Sequence, residues 1–386
     1  MKVFVVMGTR PEAVKMAPIV HQLMAYPQDV ETIVCATGQH REMLDQVLTL
    51  FGIQPDIDLN LMQQNQTPSQ VAARVLLALD PILAEIRPDW LLVQGDTTTV
   101  MAASIAAHHR QVRVGHVEAG LRTYDRANPF PEEMNRVVAD HVSDLHFAPT
   151  PRACENLLAE GISSQSIHVT GNTVIDALLW VAEQPLSTAV QTELSQYGLD
   201  KFLEGEERNI ILVTAHRREN HGRPIQEICH ALRTLAQTWP QLQIVYPVHR
   251  NPNIWNPVHE LLGNVPGITL LPPVDYALLT HLMKHSRLIL TDSGGIQEEA
   301  PSLGVPVLVL RETTERPEAV EAGAAKVVGT DADHIVKTAN HLLGDTAAYQ
   351  AMAQAVNPYG DGQAARRMVE VLLTGQCTPF VTSGRN

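Results

Sequence analysis

The chain is short of aromatic side chains, of cysteine and of positive charge, and each shortage excludes something. Phe, Trp and Tyr together make up 4% of the 386 residues. Its cores must therefore be built from Val, Leu, Ile and Ala, the usual filling of parallel sheets covered by helices. The four cysteines, Cys35, Cys154, Cys229 and Cys377, stand 119, 75 and 148 residues apart. There is no CxxC pair and no zinc-ribbon spacing, which argues against a disulfide framework and fits a reducing compartment. Lys and Arg number 28 against 42 for Asp and Glu, a net charge of -14. Phosphate backbones and anionic lipids repel such a chain, so neither nucleic acid nor a membrane is expected as a partner. Any anionic ligand must be held by a few placed cations and backbone amides. No run approaches ~18 consecutive apolar residues, so no membrane span is expected. The opening MKVFVVMGTRPE reaches Arg10 and Glu12 too soon for a signal peptide. A cytoplasmic location is the expectation.

Two further absences narrow the chemistry. The first strand is not followed by GxGxxG, and there is no Walker A motif, which disfavours NAD and ATP. His281 and His285 are four apart but lack the Glu of HExxH, and His141 and His146 flank Asp144 with no fourth ligand in register. No metal and no cofactor are expected.

What is present is a βαβ rhythm. Hydrophobic residues are 45% and charged residues 18%, a globular composition. The length suggests two or three domains at ~100–200 residues each. Val3–Val6, Thr32–Cys35, Trp90–Val93 and Val112–Val117 read as strands. Helical spacing separates them, as in Val71, Val75, Leu79, Ile82, Leu83 and Ile86. A second series follows near residue 208, with strands Ile210–Val213, Ile244–Val248, Ile268–Leu271, Leu288–Leu290 and Val305–Leu310. Between them the polar stretch Gln184–Arg208, with Pro185, Gly198 and Gly205, places the domain boundary in or just before it. This pattern predicts an α/β protein of doubly wound parallel sheets.

In open parallel sheets, ligands bind beyond the carboxyl ends of the strands, so the residues there matter most. After the first strand, Gly8-Thr9-Arg10-Pro11 opens a helix, with Lys15 on its second turn. That is an anion site or, equally, a capped turn with solvated charges. Gly95-Asp96-Thr97 follows the strand at 90–94, and Glu118-Ala119-Gly120 follows the strand at 112–117. Pro131-Glu132-Glu133 begins another helix. Asp96 alone could be an N-cap, and acids in a first turn suit the helix dipole. Three carboxylates at strand-end loops of one half exceed what capping needs. In the second half, Thr214-Ala215-His216-Arg217-Arg218 joins a titratable ring to cations. Thr291-Asp292-Ser293-Gly294-Gly295 then leads into a helix carrying Glu299, an arrangement that lets phosphate approach backbone amides while an acid accepts from a ribose diol. His108-His109 reads as the start of a loop.

Taken together, GTRPEAVKMAP, QHREMLDQV, GDTTT, VGHVEAGLRT, PFPEEMNR, TGNTVIDALLW, TAHRREN, YPVHRNPN, LTDSGGIQEEAPSLGVPVLVLRETTERPE and NPYGDG resemble one family. That family is the non-hydrolysing UDP-N-acetylglucosamine 2-epimerases of bacterial type, and the likeness runs from residue 8 to residue 362. It implies a GT-B-like fold of two Rossmann-like domains facing a central cleft. The N-terminal domain would be 1–175 plus 362–386, with a returning C-terminal helix, and 176–361 the UDP-binding domain. The implied reaction interconverts UDP-GlcNAc and UDP-ManNAc without metal or nicotinamide, supplying ManNAc for surface polysaccharide. A homodimer is implied as well. By matching positions, Asp96, Glu118 and Glu132 resemble the acid/base carboxylates and His216 the catalytic histidine. Arg10 and Lys15 match the cations near the diphosphate. Ser293, Gly294, Gly295, Glu299 and Arg316 match the nucleotide turn and its ligand contacts. Gln39, Glu42, Glu132, Arg217 and His249 match a site for an activating second UDP-GlcNAc, although some relatives carry Gln at 42 and Arg where this chain has Asn65. Near the uracil, Val274 and Leu279 replace the Gln and Phe of some relatives. The rival readings are a GT-B glycosyltransferase, which needs an acceptor groove, and a non-catalytic nucleotide-sugar sensor, which has no use for the carboxylates. A hydrolysing epimerase would usually add a kinase domain, for which this length leaves no room.

Overall fold

Continuous Val, Ile and Leu runs, rather than alternating ones, are what strands buried on both faces require. The structure, a computed structural model, describes residues 1–38, 41–61, 63, 65–203 and 207–381. It divides into two compact units, Met1–Ala177 with Tyr359–Val381, and Leu178–Pro358. Residues 382–386, expected above in the first domain, lie outside the described residues.

In the first unit the strands are β1 (Lys2–Met7), β2 (Glu31–Ala36), β3 (Ile57–Asp58), β4 (Trp90–Gln94), β5 (Arg113–Val117), β6 (Leu145–Ala148) and β7 (Ile167–Val169). They form one sheet in the order β3-β2-β1-β4-β5-β6-β7, and every pairing is parallel. The second unit has β8 (Ile210–Thr214), β9 (Gln243–Pro247), β10 (Ile268–Leu271), β11 (Ser286–Thr291), β12 (Val307–Val309) and β13 (Ala325–Val327). Their order is β10-β9-β8-β11-β12-β13, again parallel throughout. Each order reverses direction once, between β1 and β4 and between β8 and β11. Those reversals are the topological switch points at which doubly wound sheets bind ligands.

The cores are aliphatic. Phe4, Leu79, Leu91 and Val93 pack in the first unit, and Ile211, Leu232, Ile244 and Leu290 in the second. Strands β3, β6, β7 and β13 escape the sequence reading because they are two to four residues long. Polar residues such as His146, His168 and Lys326 also interrupt their apolar runs. The expected strand Val305–Leu310 shortens to Val307–Val309; Pro306 has no N–H for the ladder. His108 and His109 do not begin a loop. They form the last turn of the helix Thr98–His109. The last helix, Ala364–Thr374, belongs to the first unit, where it packs on the helix Arg10–Met24. Asp176 anchors it by accepting from Ala364 N and Ala365 N at 3.2 and 2.9 Å. No described helix is long and apolar enough to cross a membrane.

Candidate active site

Around the first switch point, the turn after β1 is fastened to the turn after β4. Thr9 caps the helix Arg10–Met24, and Pro11 stands in its first turn. Glu12 closes a capping box, taking Gly8 N and Thr9 N on Oε2 at 2.5 and 2.8 Å. Its Oε1 accepts from Thr97 Oγ1 at 2.6 Å, which ties in the second turn. Burial pushes the Glu12 carboxyl up, with these hydrogen bonds opposing. Arg10 is the first, half-buried residue of that helix. One turn on, Lys15 Nζ lies 2.6 Å from Glu118 Oε1.

Glu118 sits just beyond β5 with φ 64°, a left-handed backbone rare outside glycine. It is buried, and besides Lys15 it accepts from Gln94 Nε2 on Oε2 and from Asn172 Nδ2 on Oε1 at 3.2 Å. A Cβ placed on Gly95 would be 3.7 Å from Glu118 Oε2, so this carboxylate lies beside the Asp96 turn. Asp96 is not an N-cap, because Thr97 takes that role. Asp96 instead pairs with the Arg136 guanidinium, while its carbonyl accepts from Asn135 Nδ2 at 3.0 Å. Asn135 and Arg136 belong to the helix Glu132–Val142, so the helix that begins with Glu132 is tied to Asp96. Glu132 Oε2 is buried and has no hydrogen-bond partner among the described residues. Buried polar atoms nearly always have a hydrogen-bond partner, which singles this oxygen out.

Around the second switch point, Asp292 organises the turn after β8. Its Oδ2 accepts from His216 N, Arg217 N and Asn220 Nδ2 at 2.7, 2.8 and 2.9 Å. Its Oδ1 faces His216 Nδ1 at 3.6 Å. The His216 ring stacks on His249, centroids 5.5 Å apart and planes 19° from parallel. Burial lowers the His216 pKa from its ordinary value; Asp292 opposes that, and His249 and Arg217 add to it. Ser293 begins the helix Gly294–Glu299. Neither Gly294 nor Gly295 has a positive φ, so what glycine supplies here is room. A Cβ at Gly294 would lie 3.8 Å from both Arg217 Nη2 and Arg316 Cζ, and one at Gly295 would lie 3.5 Å from Glu299 Oε1. Two guanidinium groups thus converge on the glycine turn. Burial pushes the nearby Glu315 carboxyl up, but Arg217, Arg311 and Arg316 hold it below the usual carboxylate range. Arg316 also pairs with Glu298. Glu299 is buried and accepts from Tyr276 OH at 3.2 Å. Val274 and Leu279 are half-buried at the start of the helix Tyr276–Lys284.

Of the sequence-predicted catalytic residues, Asp96 and His216 therefore lie at switch-point loops, Glu132 on a helix tied to the Asp96 turn, and Glu118 just beyond the neighbouring strand β5. Gln39 and the side chain of Glu42 lie outside the described residues. Gln94, Asn172 and Arg136 were not singled out from sequence. Arg136 is four residues after Glu132, on the same helix face, and that spacing was the available signal. Among the described residues, no group of three or more His, Cys, Asp or Glu is arranged to hold a metal ion.

Two doubly wound α/β units, one presenting carboxylates and the other cations over a glycine turn, define a GT-B-like enzyme. Comparison with known proteins specifies it. The family model described as UDP-N-acetylglucosamine 2-epimerase matches residues 22–373. A protein of Escherichia coli (strain K12) named UDP-N-acetylglucosamine 2-epimerase is 55% identical over 373 residues, 96% of this chain and 98% of its own. The crystal structure of UDP-GlcNAc 2-epimerase from Neisseria meningitidis bound to UDP-GlcNAc is similar with TM-score 0.84 and 47% identity, covering 97% of this chain and 100% of its own. The glycotransferase of kitacinnamycin, at 12% identity and TM-score 0.62 over 96% of this chain and 99% of its own, shares the fold alone. The chain belongs to the UDP-N-acetylglucosamine 2-epimerase family.

Proposed function

We propose that the chain interconverts UDP-N-acetylglucosamine and UDP-N-acetylmannosamine by inverting carbon 2 of the sugar. The proton on that carbon is not next to a carbonyl, so no ordinary base removes it. When the anomeric C–O bond breaks and its electron pair leaves with UDP, the oxocarbenium-like centre acidifies the proton. A carboxylate takes it, giving 2-acetamidoglucal and UDP. Re-addition of UDP, with protonation of carbon 2 from the opposite face, gives the epimer. The first unit supplies the acid/base groups Asp96, Glu118 and Glu132. The second supplies the diphosphate holders Arg316, Ser293, Gly294 and Gly295, the ribose acceptor Glu299, and His216, with Arg10 and Lys15 adding charge for the leaving diphosphate. The observation that carries this reading is the Asp96 turn with Glu118 beside it and the Glu132 helix tied to it, Glu132 Oε2 being buried without a hydrogen-bond partner among the described residues. Incubation with UDP-GlcNAc alone in deuterated water tests it. UDP-ManNAc carrying deuterium at carbon 2 is expected, and an unlabelled product at high conversion would point to hydride transfer.

Three finer readings accompany it. The enzyme works as a homodimer, which sedimentation equilibrium reads directly. It acts in the cytoplasm, in keeping with cysteines that form no disulfide among the described residues, and cell fractionation checks this. A second UDP-GlcNAc activates it through Gln39, Glu42, Glu132, Arg217 and His249. In that case purified UDP-ManNAc turns over slowly until a trace of UDP-GlcNAc is added; full velocity without a lag would remove the activator.

A further inference from the structure

His116 lies on β5, two residues before Glu118, and is fully buried. Its ring is held at both ends. Nδ1 is 2.5 Å from Asp140 Oδ1, and Nε2 is 2.7 Å from the Gly95 carbonyl oxygen. Asp140, also fully buried, uses its other oxygen to accept from Gly120 N at 3.3 Å and Arg122 Nη2 at 2.6 Å. Arg122 is fixed in turn by Glu160, Nε and Nη2 each at 2.7 Å. Carboxylate and carbonyl oxygens accept hydrogen bonds, so the ring donates from both nitrogens.

The two ends of this cluster matter. Gly95 immediately precedes Asp96, and Gly120 comes two residues after Glu118. One buried ring and one buried carboxylate therefore grip the main chain beside Asp96 and Glu118, two of the three carboxylates of the proposed chemistry. Glu118 needs such a grip, because a left-handed non-glycine residue persists only where its surroundings over-determine it. Stability alone does not call for charges here, since well-packed apolar residues often do as well in a core. Placement does call for them, because a shift of ~1 Å at a catalytic group can cost ~10²-fold in rate.

We propose that His116, with Asp140, is a positioning residue for the carbon-2 chemistry, setting the Asp96 and Glu118 turns from beneath without touching substrate. The inference rests on the epimerisation reading above. The test uses His116→Asn, which keeps a donor for Asp140, and His116→Gln, which keeps one for the Gly95 carbonyl. Glu160→Gln, which touches the cluster only through Arg122, serves as the comparison. At a temperature where all are folded, both His116 variants are expected to lose about 100-fold in kcat. KM for UDP-GlcNAc and affinity for UDP should stay within about threefold. Glu160→Gln should keep its kcat even if its melting temperature falls. Wild-type kcat in both His116 variants, or an equal loss in Glu160→Gln, overturns the assignment. The wild-type control separates the two ideas: no deuterium at carbon 2 there sinks the epimerisation reading, whatever the variants do. Should the variants not fold, nitrogen-15 histidine labelling of the wild type decides. One buried ring with slowly exchanging protons on both nitrogens, both shifting when UDP-GlcNAc is added, is expected. A ring with one such proton, or signals unmoved by ligand, overturns the proposal.

Discussion

The two switch points differ in what glycine does beside their charged groups. At the first, the charged groups are bound to one another: Lys15 to Glu118, Arg136 to Asp96, and Arg122 to Asp140 and Glu160. Glycine there serves the backbone, as at Gly95 with φ 82° and Gly120 with φ 84°. At the second, Arg217 and Arg316 are paired as well, with Glu315 and Glu298, but they stand over a glycine turn of ordinary backbone, and a Cβ on Gly294 would meet nothing nearer than 3.8 Å. The difference suits the two tasks proposed above. Proton transfer needs groups fixed in place, whereas holding a diphosphate needs cations with space between them. It also divides how substitutions should fail, in rate at the first site and in affinity at the second.

The largest expected effect lies in the first unit. Asp96→Asn and Glu118→Gln should each lower kcat by ~10²–10⁴-fold, the usual loss for one general acid or base. UDP affinity, measured by calorimetry, should stay within about threefold, because the glycine turn and its arginines are untouched. A parallel loss of UDP binding would erase the division between the two sites.

The glycines give a smaller but sharper contrast. A Cβ on Gly120 would collide with the Ala153 carbonyl oxygen, and the left-handed backbone alone adds about 1–3 kcal/mol for an alanine. Gly120→Ala should therefore lower the melting temperature by at least about 5 °C. Gly294→Ala meets neither penalty. It should melt near the wild type and yet bind UDP roughly tenfold more weakly, as the methyl enters the space between the guanidinium groups. Thermal melts beside UDP titrations test both, and a Gly294→Ala protein with wild-type affinity would remove the ligand from that turn.

That contrast also marks what the sequence made legible. The long strands were readable because Val, Ile and Leu run unbroken, and the strand-end carboxylates because doubly wound sheets put function there. The partners were not readable. Asn172 reaches Glu118 across 54 residues, and Arg217 meets the Gly294 turn only because β8 and β11 pair. Arg217 reads from sequence as a contact for a second nucleotide, and in the fold its guanidinium lies near the Gly294 turn. Gly294 and Gly120 look alike in sequence; only backbone angles and neighbours separate room from conformational need.

The smallest effect concerns the His216 ring at the second site. Burial depresses the His216 pKa, with His249 and Arg217 adding to the effect and Asp292 opposing it. A histidine whose folded pKa is lowered stays neutral until the pH falls below its ordinary range near ~6.5. If His216 works as the neutral ring, activity should hold at pH 6.5 and fall only below it. His249→Asn removes the stacked neighbour, which both shields His216 from water and repels its charge. Both changes raise the His216 pKa toward the ordinary value, so the acid limb of kcat should move upward by a fraction of a pH unit. Because His249 also belongs to the proposed activator site, the profile is measured at saturating UDP-GlcNAc. Titration of the His216 ring proton by NMR reports the same shift independently of rate. An acid limb that stays in place while the ring pKa rises would assign the limb to another group. A ring pKa that falls would mean that the His249 ring favours, rather than opposes, the charged form of His216.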